Sequence, residues 1–164
     1  MGIFHLTLIV ATFLCSLVAG FLFAFAVVVM PGIGNMGDGE FLRAFQVMDR
    51  VIQNNQPIFM LVWLGSVVAL LTSAALGIGQ LDGTGRVLIL AAVLVYLLGV
   101  QLPTATINIP LNNAVQSLEI DAMDQSAREV ARRDFESRWN SWNSIRTVLA
   151  ALVSVLLITL LLRL

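Results

Sequence analysis

The sequence predicts an all-α integral membrane protein. It reads as a four-transmembrane-helix bundle with an amphipathic helix between spans 1 and 2 and with span 4 extended out of the membrane on the same side. Two observations carry this. Of the 164 residues, 59% are hydrophobic and 12% are charged, against roughly 25% charged in an ordinary soluble domain; the mean hydropathy is +0.92. The charges also divide the chain cleanly: none occurs from Leu6 to Gly37, Val51 to Leu81, Val87 to Leu118 or Thr147 to Leu162. A bilayer core of about 30 Å needs roughly 20 apolar residues as helix. Each run is apolar on all sides instead of alternating, so helices and not barrel strands satisfy the backbone in lipid.

The chain is thus expected to be a single transmembrane domain with spans at about residues 6–30, 58–77, 87–107 and 145–162, and with surface segments at 31–57 and 110–144. Span 1 is read as a true span and not a cleaved leader, because Met1 to His5 lacks Lys and Arg and the apolar run is too long. After it, Pro31 and four glycines between Gly32 and Gly39 make a turn, and Asp38 is placed to cap a short helix from about Glu40 to Gln53. Phe41, Leu42, Phe45, Met48 and Ile52 recur at three and four, giving an apolar stripe with Glu40, Arg43, Gln46, Asp49 and Arg50 set elsewhere. This helix should lie at the membrane surface or cover the bundle's end. Asn54-Asn55-Gln56-Pro57 stops it, and Pro57 opens the second span.

Pairs at i,i+4 (Asp124/Arg128, Glu129/Arg133, Asp134/Arg138) suit a solvated helix that leads into span 4 without interruption. Gly20 with Ala24, Gly65 with Ala69 and Ser73 with Gly77 are read as small-residue packing faces. Seven arginines fall on the side of the two surface segments, against Arg86 and Arg163 opposite. The positive-inside rule therefore puts both termini on the non-cytoplasmic side of a plasma (inner) membrane.

Net charge is −1 and the nine basic residues, all Arg, form no block, so no nucleic acid is expected as a partner. A single cysteine, Cys15, excludes an internal disulfide and a thiolate metal site, and is read as a core residue. A single histidine, His5, cannot build a multi-His centre and is placed at the interface opposite the polar residues described next.

Polarity is concentrated where lipid discourages it. At 100° per residue, Gln101, Thr104, Asn108 and Asn112 fall within about 80° of one another, provided that Pro103 and Pro110 kink the helix without redirecting it. At the start of span 4, Trp139, Trp142, Asn143 and Arg146 fall within about 100°. Both stripes sit at one depth by topology and can meet. They would supply an aromatic wall, amide donors and a permanent cation, which suits a flat, oxygen-bearing, largely apolar molecule. Plainer readings stand beside this: Trp with Arg is also an interfacial anchor, Asn108 and Asn112 also suit capping or helix pairing, and Thr104 and Thr106 also suit back-bonding to their own helix.

Four segments in order carry a resemblance: Val29-Met30-Pro31, then Gln53-Asn54-Asn55-Gln56-Pro57-Ile58-Phe59, then Thr106-Ile-Asn108-Ile-Pro110-Leu-Asn112, then Arg138-Trp139-Asn-Ser-Trp142-Asn143-Ser-Ile-Arg146. Along nearly its whole length the chain resembles the anthrone oxygenase family of small four-span membrane proteins. The resemblance implies oxygenation of an anthrone to an anthraquinone by O₂, with no obvious cofactor and no metal. It implies catalytic roles for Arg146, which suits an oxyanion, and for Asn108 and Asn143, which can donate to carbonyl or phenol oxygens. Asn112, Trp139, Trp142, Gln101, Thr104 and Asn55 form the expected substrate-binding set. Asp49, Asp134 and Glu136 lie on the right side for a base, the sequence raises none above the others, and a bound water stands as a further alternative. The expected partners are the lipid bilayer and an apolar aromatic small molecule, with a homo-oligomer open. Alternatives are an enzyme of another aromatic or quinol-like substrate, a non-catalytic scaffold subunit, and a transporter. The last is disfavoured because no predicted span carries Asp or Glu.

Overall fold

The computed structural model describes residues 2–164. Five helices account for the described chain apart from short connections. They are α1 (Ile3–Ile33), α2 (Asp38–Gln53), α3 (Pro57–Gly77), α4 (Gly83–Gln116) and α5 (Gln125–Leu161), with one 3₁₀ turn at Ile120–Ala122. The four expected spans are present: α1, α3, α4 and α5 are each long and apolar enough to cross a membrane.

Length decides the shape. At 1.5 Å per residue α3, with 21 residues, is about 32 Å long and matches the hydrocarbon thickness, whereas α1, α4 and α5, with 31, 34 and 37 residues, run to roughly 46–56 Å. Residues 78–82 join α3 to α4 tightly at one end, so the excess of the long helices falls at the other. There α2 lies across them. Its buried Phe41, Leu42 and Phe45 pack with Met30, Val115, Phe135 and Trp139 into a core of their own. Phe45 meets Phe135 edge-on at 4.5 Å and Trp139 at 5.6 Å, geometries that add to the burial energy. The amphipathic helix thus covers the bundle's end, one of its two expected settings.

The main core lies among the spans, around Leu8, Cys15, Val18, Leu70, Tyr96, Val153 and Leu157. Its polar atoms are paired: Ser66 and the Tyr96 hydroxyl lie 2.6 Å apart, and Ser73 bonds back to Ala69 O. Cys15 is fully buried, as expected. Of the small-residue faces, Gly77 and Gly65 touch α1, through Phe4 and Leu14 respectively. Gly20 touches nothing within 4 Å of where a Cβ would stand and is exposed, so the Gly20/Ala24 face is not a packing face.

Several local expectations are corrected. Helix α4 continues past residue 107, through both prolines to Gln116, and α5 begins at Gln125, so the expected 110–144 surface segment is mostly helical. Helix α2 begins at Asp38 with Gly37 before it, whose N–H donates to Glu40. Asp38 instead takes part in a clamp in which Arg132 donates to Asp38, Glu136, Met36 O and Gly34 O and lies 4.5 Å over the Phe41 ring. None of the three i,i+4 acid–base pairs forms an ion pair. Asp124 caps α5 through Ala127 N–H, and Arg128 donates to Ile120 O, because tertiary and capping partners nearby outcompete a weak exposed pair. At the opposite end Asp82 caps α4, and the Gly85 N–H, with Arg163 beside it, holds its carboxyl below the ordinary carboxylate range. Asp49 and Gln46, which the periodicity set off the apolar stripe of α2, are both buried. Their angular positions adjoin Leu42 and Phe45, which belong to the inner face.

The tight approach of α1 to α3 yields a test. A Cβ on Gly77 would stand 2.4 Å from the Phe4 ring, so Gly77→Ala is expected to destabilise the detergent-purified protein by about 1–3 kcal/mol. Thermal unfolding should show the loss, and Phe4→Ala in the same chain should remove most of the difference between Gly and Ala.

Candidate functional site

One cavity of about 340 Å³ opens between the bundle and its α2 cover, with all five helices contributing to the wall. It falls at the lower end of the roughly 300–1,000 Å³ typical of small-molecule pockets. Aromatic rings make much of the wall: Phe21 and Phe25 from α1, Phe45 from α2, Phe59 and Trp63 from α3, and Trp139 from α5. Phe59 and Trp63 stack at 5.4 Å, one helical turn apart.

Local helix geometry brings the polar groups in. Each proline in α4 lacks the N–H that an α-turn needs, and the helix responds with π-turns at Val95–Gln101 and Thr104–Asn108. A further π-turn, Phe25–Val29, precedes Pro31 in α1. A π-turn re-aims the side chains around it. Gln101, Thr104, Asn108 and Asn112 all line the cavity, so the two prolines bend the stripe without dispersing it.

From α5, Trp139, Asn143 and Arg146 line the same cavity. Arg146 is 3% exposed. Its Nη1 donates to Thr104 Oγ1 at 2.8 Å and its Nη2 to Asn143 Oδ1 at 3.1 Å, while Asn143 Nδ2 donates to Leu22 O at 3.1 Å. No carboxylate pairs with Arg146 among the described residues. Thr104 also donates to Val100 O, so its back-bonding and its contact with Arg146 coexist.

At the other end of the cavity a second network runs from Trp139 Nε1–H to Asn112 Oδ1 at 2.8 Å, and from Asn112 Nδ2 to Asp49 Oδ1 at 2.7 Å. Asp49 Oδ2 accepts from Gln53 at 2.7 Å and Gln116 at 3.0 Å. Trp63 Nε1–H donates to Gln101 Oε1 at 2.9 Å.

Against this order stand four buried side-chain atoms without a partner among the described residues: Gln101 Nε2, Asn108 Nδ2, Asn108 Oδ1 and Arg146 Nε. All four belong to residues of the cavity wall. Leaving a buried donor or acceptor unmade costs about 1–3 kcal/mol, and their gathering on residues of one cavity sets them apart from the paired polar atoms of the main core.

Of the nine site residues expected from the sequence, the structure brings seven together: Arg146, Asn108, Asn143, Asn112, Trp139, Gln101 and Thr104. Trp142 and Asn55 do not line the cavity. Trp142 sits at the edge of the α5 stripe, beyond the part that faces inward. Asn55 is exposed with φ of 55°, a left-handed residue that turns the chain from α2 into α3. The aromatic wall from α1 and α3 was not legible in the sequence, since an apolar ring in a span reads the same whether it faces lipid or a cavity. Asp49 did leave a signal: a carboxylate flanked in projection by Leu42 and Phe45 on the apolar face of α2. Among the described residues no three His, Cys, Asp or Glu side chains come together as a metal site would need.

The wall has an outer side. Leu64, Ala105 and Ile109 line the cavity and are also exposed on the bundle's surface. Helix α3 meets α4 mainly through the first half of α4, Gly83–Leu94, and not through the part that carries the polar stripe. The cavity thus borders an exposed apolar surface of the bundle.

The unpartnered amide gives a test separate from any activity. Asn108→Leu keeps the number and branching of the side-chain heavy atoms and removes two unsatisfied atoms, so thermal stability is expected to stay level or rise, by up to about 1–3 kcal/mol, while ligand binding falls. A clear loss of stability would show that Asn108 serves the fold.

No curated protein and no solved structure matches the chain. Residues 48–156 match the family described as anthrone oxygenase, and this stretch contains every polar residue of the cavity wall, from Asp49 to Arg146. With two thirds of its length matched, and with the four apolar helices that the resemblance led one to expect, the chain belongs to the anthrone oxygenase family.

Proposed function

We propose that this protein is a membrane-embedded oxygenase that binds an anthrone-type tricyclic aromatic in the cavity and converts it, with O₂, to the corresponding anthraquinone. The observation that carries this reading is that all four unpartnered buried polar atoms belong to residues lining one aromatic-walled cavity. A ligand that is flat, mostly apolar and equipped with a few oxygen atoms satisfies both the rings and the amides. Family membership supports the same substrate class.

The chemistry follows from the substrate. Loss of a proton from the methylene of an anthrone leaves an anion whose charge rests largely on the carbonyl oxygen opposite, and such an electron-rich anion can itself reduce O₂. The site therefore has to hold the rings, exclude water and stabilise an oxyanion. Arg146 suits the oxyanion, because its charge is permanent and it has no carboxylate among the described residues to neutralise it. Its Thr104 and Asn143 contacts fix the guanidinium while Nε stays free to donate. Gln101 Nε2 and Asn108 Nδ2 are the further donors for ring oxygens, and Asn108 Oδ1 suits a phenol. Asn143 orients Arg146 while anchored to α1. The exposed edge at Leu64, Ala105 and Ile109 suits a substrate that arrives dissolved in the bilayer.

The reading is tested by oxygen uptake. Detergent-purified protein given unsubstituted anthrone is expected to consume O₂ saturably above the spontaneous rate, with anthraquinone absorbance rising in step; no rate above background would argue against this substrate class. Within that assay, Arg146→Ala should lower kcat by about 10²–10³-fold, the usual consequence of removing an oxyanion donor. Arg146→Lys should recover only part of it, because an ammonium cannot hold Thr104 and Asn143 and still donate as a planar fork does. An Arg146→Ala protein that stays folded and turns over at the original rate would remove Arg146 from the chemistry.

A further inference from the structure

We propose that Asp49 is the general base of this site: its carboxylate removes the carbon-bound proton of the aromatic ligand at the end of the cavity opposite Arg146. The proposal rests on the oxygenase reading above and names a catalytic residue for it.

Of the acidic residues that topology allows, Asp49 is the one on the cavity wall. Glu136 is engaged by Arg132 in the clamp outside, and Asp134, with a side chain 67% exposed, pairs with Arg133. Asp49 is 4% exposed, yet it has no cationic partner among the described residues. Neutral amides hold it instead: Asn112 on Oδ1, and Gln53 and Gln116 on Oδ2. A carboxylate offers about four acceptor positions, and these three bonds leave one unused. Two of the amides come from α4 and one from α2 itself, so the group is fixed from two helices. Asp49 is the buried member of this network, Asn112 and Gln116 being half-buried and Gln53 exposed; a well-packed apolar side chain would serve stability there with no need of three amides.

Geometry sets the two charged groups at opposite poles. Thr104, Asn108 and Asn112 stand on successive turns of α4; Arg146 is bonded to the first and Asp49 to the last. Eight residues of helix put these ends roughly 10–12 Å apart along the axis. In an anthrone the methylene and the carbonyl occupy opposite positions of the central ring. A ring lying along α4 thus presents its C–H bonds to Asp49 and its oxygen to Arg146.

The step balances with O₂ as the only oxidant. Asp49 takes one methylene proton, and the C–H electron pair moves into the ring toward the oxygen facing Arg146. O₂ accepts an electron from this anion and the two radicals combine, forming the C–O bond of a peroxide. Asp49 returns its proton to the outer peroxide oxygen. It then takes the second proton from the same carbon as the O–O bond breaks, so that a C=O bond forms and the departing hydroxide recovers that proton as water. The methylene and O₂ become a carbonyl and water, and Asp49 ends as it began.

Removal of the proton can be watched without oxygen. Under anaerobic conditions in D₂O, the wild-type protein is expected to accelerate exchange of the anthrone methylene protons for deuterium, followed by NMR. Asp49→Asn should still bind anthrone, seen by quenching of tryptophan fluorescence, but lose about 10²-fold or more of the exchange rate and of the oxygen uptake. Where Asp49→Asn does not fold, Asp49→Ser, which keeps an acceptor for the amides, carries the same expectation. A folded variant of either kind that exchanges within about a factor of three of wild type overturns the assignment, since a base normally contributes 10²–10⁴-fold. Wild-type protein that oxidises anthrone without accelerating exchange also overturns it and leaves the oxygenase reading intact. Failure of the wild type both to bind and to oxidise anthrone overturns the reading on which the assignment rests.

Discussion

One guanidinium ties three of the four spanning helices together. Arg146 on α5 reaches Thr104 on α4, and through Asn143 it is coupled to the Leu22 carbonyl on α1. In hydrocarbon such a group is costly unless it is solvated by other polar atoms, so once it is buried the helices around it must supply them. The polar stripe of α4, the π-turns that aim it and the amide of Asn143 all serve that requirement. What they leave unmet, the Nε of Arg146, the Nε2 of Gln101 and the amide of Asn108, belongs to residues that line the cavity. On the reading proposed above, the structural demand and the binding chemistry are two sides of one group.

The prolines of α4 make this possible. An unbroken α-helix could present the stripe but would have every backbone bond in place and a regular surface for α3 to pack along. With Pro103 and Pro110 the helix passes through two π-turns, and its second half no longer follows α3. The gap that results is bridged by the Trp63–Gln101 hydrogen bond and bordered by the exposed side chains of Leu64 and Ile109. Helix α2 then closes the end with aromatic packing on Phe135 and Trp139, and the Arg132 clamp holds the connection that precedes it. On the reading proposed above, a cover fastened this way shields the carboxylate, 4% exposed, while the exposed apolar border admits a substrate of little solubility in water.

The division between stability and function also differs between the two networks. Around Asp49 three amides are engaged and hold the carboxylate from two helices, leaving one acceptor position. Around Asn108 nothing is engaged, and the amide sits 2% exposed with neither atom partnered. A chain selected for stability alone would place leucine there.

The sequence by itself determined the helical class, the number of spans, the existence of the amphipathic helix and the two polar stripes. All of these rest on local periodicity and on the cost of charge in lipid, which composition alone expresses. The charge-free runs mark the spans, and the spacing of Gln101, Thr104, Asn108 and Asn112 marks one face. Only the tertiary structure decided which polar residues meet. Trp142 and Asn55 belong to the right segments yet lie outside the cavity, since one stands at the edge of its stripe and the other is taken up by a left-handed turn. The aromatic wall of Phe21, Phe25, Phe59 and Trp63 was hidden, because in a span an apolar ring has the same signature toward lipid as toward a ligand. Asp49 was visible as one acid among three. Its place against Asn112, Gln53 and Gln116 depends on how α2 lies across α4, a packing of distant segments that no local pattern encodes.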